Sequence, residues 1–266
     1  MISRLSRLPR SRAVAVCAAP VVALLAAAAF APLPFSLAQP GLTADVLGEK
    51  KGAPVITIDG AATRETSGQL RMTTIEATGY EARVGLTDVL DGWFRTDRAV
   101  MPRDSVYPSG GDAEEIARYN QAEMKESQDL ATRAALSYLG EDGDDVEVTL
   151  EMSDVGGPSA GLLFALGIID KLDGDGRGGD LTGGRVIAGT GTIDTDGTVG
   201  PVGGVPLKTQ AARRDGATVF LVPRAECSDA QSNLPDGLRL IPVTTLKGAV
   251  SSLVALEKGE GSVPSC

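Results

Sequence analysis

The chain has no histidine among its 266 residues. That absence excludes every mechanism in which an imidazole activates a serine or a cysteine, and every histidine-ligated metal site. Cysteine is nearly absent too. The three present, Cys17, Cys227 and Cys266, are too scattered to build a zinc site, so no metal and no cofactor is expected. Positive charge is also in short supply. A net charge of −10 argues against nucleic acid as a partner, because phosphates require a basic footprint. No internal repeat is visible. Hydrophobic residues at 42% and charged residues at 23% remain ordinary for a globular chain, whose length admits one large domain or two small ones.

What is present begins with a basic segment, residues 1–12, carrying Arg4, Arg7, Arg10 and Arg12 and no acid. No charge follows from Ala13 to Ala31, a stretch interrupted by Pro20. It reads as a signal peptide or as a membrane anchor over 13–35. A span needs about 20 residues and a signal core roughly 7–15, so the length favours the anchor. Ser36-Leu37-Ala38 still has the look of a cleavage site. Either way the arginines stay cytoplasmic and residues 40–266 are exported. The expected location is therefore the cell membrane, with the folded part outside the cytoplasm. Export makes Cys227 and Cys266 a candidate disulfide, with two free thiols as the alternative. Cys17 reads as a small apolar residue.

Residues 36–60 read as a linker with a short strand from Pro54 to Ile58, residues 61–257 as the main domain, and 258–266 as a tail. β-branched residues predict a strand over Leu70 to Ala77. A short amphipathic segment runs from Leu86 to Phe94, with Trp93 and Phe94 expected in the core. Asp112 and Glu115 form a capping box that opens a helix from Ala113 to Leu139, closed by Gly140. Met124, Ser127, Ala131, Ala134 and Tyr138 share one small-residue face of it. Val146 to Leu150 alternates as a strand after an acidic turn at 141–145. Strands follow over 185–193, 198–202, 218–222 and 238–243, the first two joined by an Asp196-Gly197 hairpin turn. Helices are expected from Val205 to Asp215 and from Thr245 to Glu257. This alternation predicts an α/β fold of two layers. Residues 173–180 have the look of a calcium loop, but Arg177 replaces an acidic ligand and no glutamate closes it. A solvated loop is expected there.

One stretch combines a turn with chemistry. Val155-Gly156-Gly157-Pro158-Ser159-Ala160-Gly161 precedes the apolar run Leu162 to Ile169. It places one hydroxyl at the amino end of a helix, beside free backbone N–H groups. Ser159 is a candidate nucleophile, and a plain Gly-Pro turn is the alternative. Without histidine its base must be a lysine, as in Ser-Lys dyads, held neutral by burial or by a positive environment. Lys208 is the best placed, in the first turn of a helix after Gly203-Gly204 and flanked by Leu207 and Ala211. The alternative for Lys208 is a solvated surface lysine. Lys171 lies at the far end of the Ser159 helix and points away from it.

Gly157-Pro-Ser159-Ala160-Gly161, Ala188-Gly-Thr190-Gly191, Pro201-Val-Gly203-Gly204-Val-Pro-Leu-Lys208, Ala211-Ala212, and Gly216-Ala217 with Phe220-Leu-Val-Pro223 follow one another in order. Together they resemble the proteolytic domain of Lon proteases. Arg71 to Ala77 resembles its first strand and Met124-Lys125-Glu126-Ser127 its early helix, so the likeness covers nearly all of residues 65–245. Thr66 to Gly68, the Tyr107-Pro108 pair and the apolar N-terminus resemble the membrane-anchored Lon-like proteases of Gram-positive bacteria. The resemblance implies a serine endopeptidase acting on polypeptide substrates. Ser159 would be the nucleophile, Lys208 the general base, Thr190 the residue that holds the lysine amine, and the backbone of Gly157, Ser159 and Ala160 the oxyanion site. It also implies a homo-oligomeric ring, commonly a hexamer, and contact with the cytoplasmic membrane through the N-terminal helix. Three departures stand out. No G-x-x-x-x-G-K-[ST] stretch is present, so ATP-independent action on unfolded or flexible proteins is expected. Gly140 to Glu151 leaves no room for the PDZ domain of the anchored subgroup. Gly156 stands where Lon carries an acid, and Asp154 is displaced from that place. A catalytically silent, membrane-tethered peptide-binding scaffold is the alternative, and a small-molecule ester or amide hydrolase is a third.

Overall fold

The computed structural model describes residues 9–141, 145–152, 157–259 and 261–266. In chain order these form α1 (Arg10–Phe30), β1 (Phe35–Asp45), β2 (Glu49–Lys50), β3 (Ala53–Pro54), β4 (Ile56–Asp59), β5 (Gln69–Ala77), α2 (Leu86–Phe94), β6 (Ala99–Pro102), α3 (Arg103–Val106) and α4 (Ala113–Leu139). Next come β7 (Glu147–Leu150), α5 (Gly161–Leu172), β8 (Val186–Gly189), β9 (Thr192–Ile193), β10 (Val199–Gly200), α6 (Val205–Arg214), β11 (Val219–Pro223), α7 (Cys227–Gln231), β12 (Arg239–Val243) and α8 (Leu246–Lys258).

One mixed six-stranded sheet, in the order β12-β11-β8-β5-β1-β6, organises the molecule. β12, β11, β8 and β5 run parallel, whereas β1 pairs antiparallel with β5 and β6. The register between β1 and β5 shifts between Pro40 and Thr43, and such a shift bends a strand. β4 and β7 pair separately.

All five residues of β11 are buried and apolar, the pattern of a strand covered on both faces. Val219 and Leu221 point into a core shared with α4, α5 and α8. Phe220 and Val222 point the other way, into a second core with Val205 and Ala212 of α6 and Ala230 of α7. The α/β class is therefore realised with helices on both sides of the sheet. This corrects the two-layer expectation: a sheet apolar on both faces needs a cover on each. α5 is the central element, buried from Gly161 through Asp170.

Three further expectations are corrected. Residues 36–60 are not a linker, because β1 lies between β5 and β6 and buries Ser36 and Ala38. Trp93 and Phe94 are not core residues. They are 72% and 87% exposed, because α2 turns Val89 and Gly92 inward instead. The helical part of 13–35 ends at Phe30, and among the described residues no helix is long and apolar enough to cross a membrane. Arg4, Arg7, residues 142–144 of the acidic turn, Asp154, Val155 and Gly156 lie outside the described residues.

Asp112 caps α4 by accepting from the N–H groups of Glu114 and Glu115, and Gly140 ends the helix in the left-handed conformation. Of the expected small face, Met124, Ser127, Ala131 and Ala134 are buried, while Tyr138 is partly exposed. Cys227 and Cys266 are joined by a disulfide with their Cα atoms 5.2 Å apart. The loop at 173–180 is organised by the carboxylate of Asp175, which accepts from the N–H groups of Arg177 and Gly179 and pairs with Lys258. Among the described residues no cluster of three or more histidine, cysteine, aspartate or glutamate side chains could hold a metal ion.

Candidate active site

Ser159 lies in a 3-10 turn over Pro158–Ala160 that leads directly into α5. Pro158 supplies the fixed φ that favours such a turn, and Gly157 precedes it at φ +97°. The carbonyls of Pro158 and Ser159 are held from outside. Ser127 Oγ of α4 donates to Pro158 O at 3.0 Å. The Gly191 N–H donates to Ser159 O at 2.9 Å, and Thr190 Oγ1 donates to the same oxygen at 3.2 Å. The serine is thus clamped between α4 and the β8–β9 connection. Gly161 is required by this close approach. A Cβ there would come within 2.9 Å of Ile193 Cγ2 and 3.0 Å of Ser127 Oγ.

Lys208 reaches the same place from α6. Gly204 begins that helix at φ +70°, and a Cβ on it would lie 2.7 Å from Ile75 Cγ2, so only glycine lets the helix start this close to β5. Lys208 is 3% exposed, and its Nζ donates to Thr190 Oγ1 at 3.0 Å. A threonine hydroxyl has one proton to give. Thr190 gives it to Ser159 O, so the oxygen facing Lys208 acts as acceptor. The lysine is thereby oriented by an N–H bond, leaving its nitrogen lone pair for another proton. Burial lowers the Lys208 pKa from 10.5 to about 8, and the negative charge of Glu226 opposes the fall. Glu226 is itself raised, chiefly by burial, while the N–H of Val202 and the lysine charge pull it down.

Ser159, Lys208 and Gly203 line one cavity of about 340 Å³, with Ile75, Met101 and Val106 among its apolar walls. Ala160 is buried behind the serine. Lys171 sits at the opposite end of α5, where its carbonyl accepts from the Arg64 N–H. Two contributors carry little sequence signal. Ser127 is visible only as a member of a small helical face. Glu226 sits in an unremarkable segment before Cys227.

A mixed α/β sheet that buries a lysine beside a turn-borne serine has the parts for nucleophilic chemistry without imidazole. The chain belongs to the family of the Lon protease (S16) C-terminal proteolytic domain, which matches residues 121–255. Ser127, Ser159, Thr190 and Lys208 all fall inside that match. The chain is 28% identical over 171 residues to Lon protease 1 of Myxococcus xanthus, covering 62% of this chain and 20% of that protein. It is 32% identical over 169 residues to Lon protease 1 of Sorangium cellulosum, covering 57% and 20%. It is 31% identical over 100 residues to Lon protease 2 of Bacillus subtilis, covering 38% and 17%. The chain thus spans about a fifth of the length of these relatives.

Proposed function

We propose that this chain is a serine endopeptidase that uses Ser159 as nucleophile and Lys208 as general base, with polypeptides as substrates. The observation that carries it is the buried Lys208–Thr190–Ser159 connection, which holds a lysine of lowered pKa in the cavity that contains the serine. Neutral Lys208 takes the proton of Ser159 Oγ as that oxygen attacks the peptide carbonyl. Backbone N–H groups around Gly157, Ser159 and Ala160 stabilise the tetrahedral oxyanion. Lys208 then returns the proton to the leaving amine, and water hydrolyses the acyl-enzyme by the same proton transfers.

The reading extends to setting. Cleavage of already unfolded protein without ATP is part of the proposal. The uncharged, solvent-facing apolar residues of α1 support membrane association, with Val14, Val22, Leu24 and Leu25 all more than half exposed. The Cys227–Cys266 disulfide and the leading arginines support an extracytoplasmic catalytic domain. Assembly into a homo-oligomeric ring follows from likeness to Lon proteases.

A casein digest tests the core of the proposal. The wild-type protein should cleave casein with or without added ATP, and Ser159→Ala and Lys208→Ala should each lose about 10²–10⁴-fold of that rate. Activity should rise with pH through about 8, because Lys208 works as a base only after losing its proton. Wild-type rates in either variant, or a flat profile between about pH 6 and 9, would refute the dyad.

A further inference from the structure

α2 breaks the usual rule for a surface helix. Its inward side is apolar, with Val89 and Gly92 buried and the space at Gly92 closed by Leu37 and Val100. Its outward side is apolar as well. Leu86, Leu90, Trp93 and Phe94 are 39%, 42%, 72% and 87% exposed, at spacings that place them on one face. Such a face is costly in water unless something covers it.

Two observations indicate what covers it. First, α2 packs against α1, a helix whose own apolar side chains Val14, Val22, Leu24 and Leu25 are exposed. Second, five charged residues in and just after α2 are already engaged within the chain. Arg98 pairs with Asp91 at 2.9 Å and Arg95 with Asp97 at 2.8 Å, while Asp88 accepts from the Gly85 N–H at 2.8 Å. A protein partner needs a polar rim to dock against, with about one hydrogen bond per 100–200 Å². A face whose flanking Asp88, Asp91, Arg95, Asp97 and Arg98 are engaged within the chain, with a tryptophan at its edge, suits the lipid–water boundary instead, where tryptophan is enriched and amphipathic helices lie flat.

We propose that α2 is a second membrane contact. Leu86, Leu90, Trp93 and Phe94 enter the headgroup–acyl boundary of the bilayer with which α1 associates, and so fix the orientation of the catalytic domain on that surface. The inference rests on the membrane association proposed above for α1, and it is independent of the peptidase chemistry. Because the protein is acidic, the contact is apolar and should form on zwitterionic lipid.

Trp93 is the sole tryptophan of the chain, so it reports on itself. The full-length protein is reconstituted with phosphatidylcholine vesicles. Flotation reads the association of α1, and Trp93 emission reads α2. The expected result is quenching of Trp93 by lipids brominated near the headgroup, with iodide quenching reduced at least roughly threefold relative to the urea-unfolded protein. The Leu90→Ser/Phe94→Ser variant should still float while iodide access to Trp93 recovers. If the protein floats but Trp93 stays open to iodide and untouched by brominated lipid, the contact does not exist and the association of α1 stands. Shielding of Trp93 from both quenchers, rising with the protein-to-lipid ratio, would mean that a second copy covers the face and would also overturn the proposal. Failure to float would remove membrane association and this inference together, while casein cleavage would remain a separate readout.

Discussion

Lys208 sits where an ammonium ion would need three acceptors and, among the described residues, meets one hydrogen-bond acceptor, Thr190 Oγ1. Thr190 is therefore the positioning residue on which the proposed base depends. Thr190→Val keeps the volume and removes both of its bonds. It should cut casein cleavage about 10–100-fold, in keeping with the loss of a buried hydrogen bond, and Thr190→Ser should restore most of the rate. Equal damage by valine and serine would show that the residue acts through packing alone. Asp170 illustrates a different cost. It is fully buried on α5, its Oδ1 accepts from the Leu181 N–H at 2.8 Å, and its Oδ2 has no hydrogen-bond partner among the described residues. Arg64 Nη1 stands 3.9 Å from Oδ1 and only partly offsets the burial. Burial raises its pKa from 3.8 to about 6. A pKa raised on folding contributes stability below about pH 4 that is lost as pH rises through about 6. Asp170→Asn keeps the acceptor for Leu181 and carries no charge. Its melting temperature should gain on the wild type between pH 4.5 and 7.5, and a pH-independent gap would refute the assignment. That Ser159 and Lys208 share one cavity was legible in the sequence as a candidate pairing, because no histidine competes and because glycine and proline mark both turns. Asp170 was not, since an aspartate at the end of an apolar run looks like a surface cap until the Leu181 segment folds over it.

Among the elements, α4 could be read to its ends because capping is local: Asp112 and Gly140 act on their own neighbours. β1 could not be read. Its sequence contains Pro40 and Gly41 and looks like a linker, yet β5 and β6 supply pairing partners from 26 (Asp45 to Arg71) to 67 (Phe35 to Pro102) residues away. α2 shows the limit of periodicity. The spacing of apolar residues announces a helix but does not say which apolar side is buried, and packing chose Val89 over Trp93. α7 is too short to be stable alone, and the Cys227–Cys266 bond ties it to the C-terminal end across 39 residues. Closing a loop of that size constrains the unfolded chain, so Cys266→Ser should lower stability by roughly 2–4 kcal/mol. Denaturant unfolding with and without reductant measures this. An unchanged midpoint in the variant would show that the tail adds nothing.

At the scale of the whole molecule, the sheet is covered on both faces, and the two parts of the proposed dyad come from opposite covers. Ser159 precedes α5 on one side of the sheet, and Lys208 comes from α6 on the other. They meet past the C-terminal end of β8, where Thr190 lies, so the site needs the complete fold rather than any local motif. The blocks of glycine and proline in the sequence are the traces of that meeting. The short distance along the chain from α1 to β1 has a mechanical consequence. Only residues 31–34 separate Phe30 from β1, and Leu33 is already bonded to Val84. Cleavage at Ser36 to Ala38 would cut a paired strand in which Ser36 and Ala38 are buried, so intact-mass measurement on the folded protein should find the chain still joined there. Four residues reach at most about 14 Å. On the membrane association proposed for α1, so short a leash leaves the proposed active centre almost no search radius of its own, and local crowding of clients at that surface, rather than their bulk concentration, would govern its turnover.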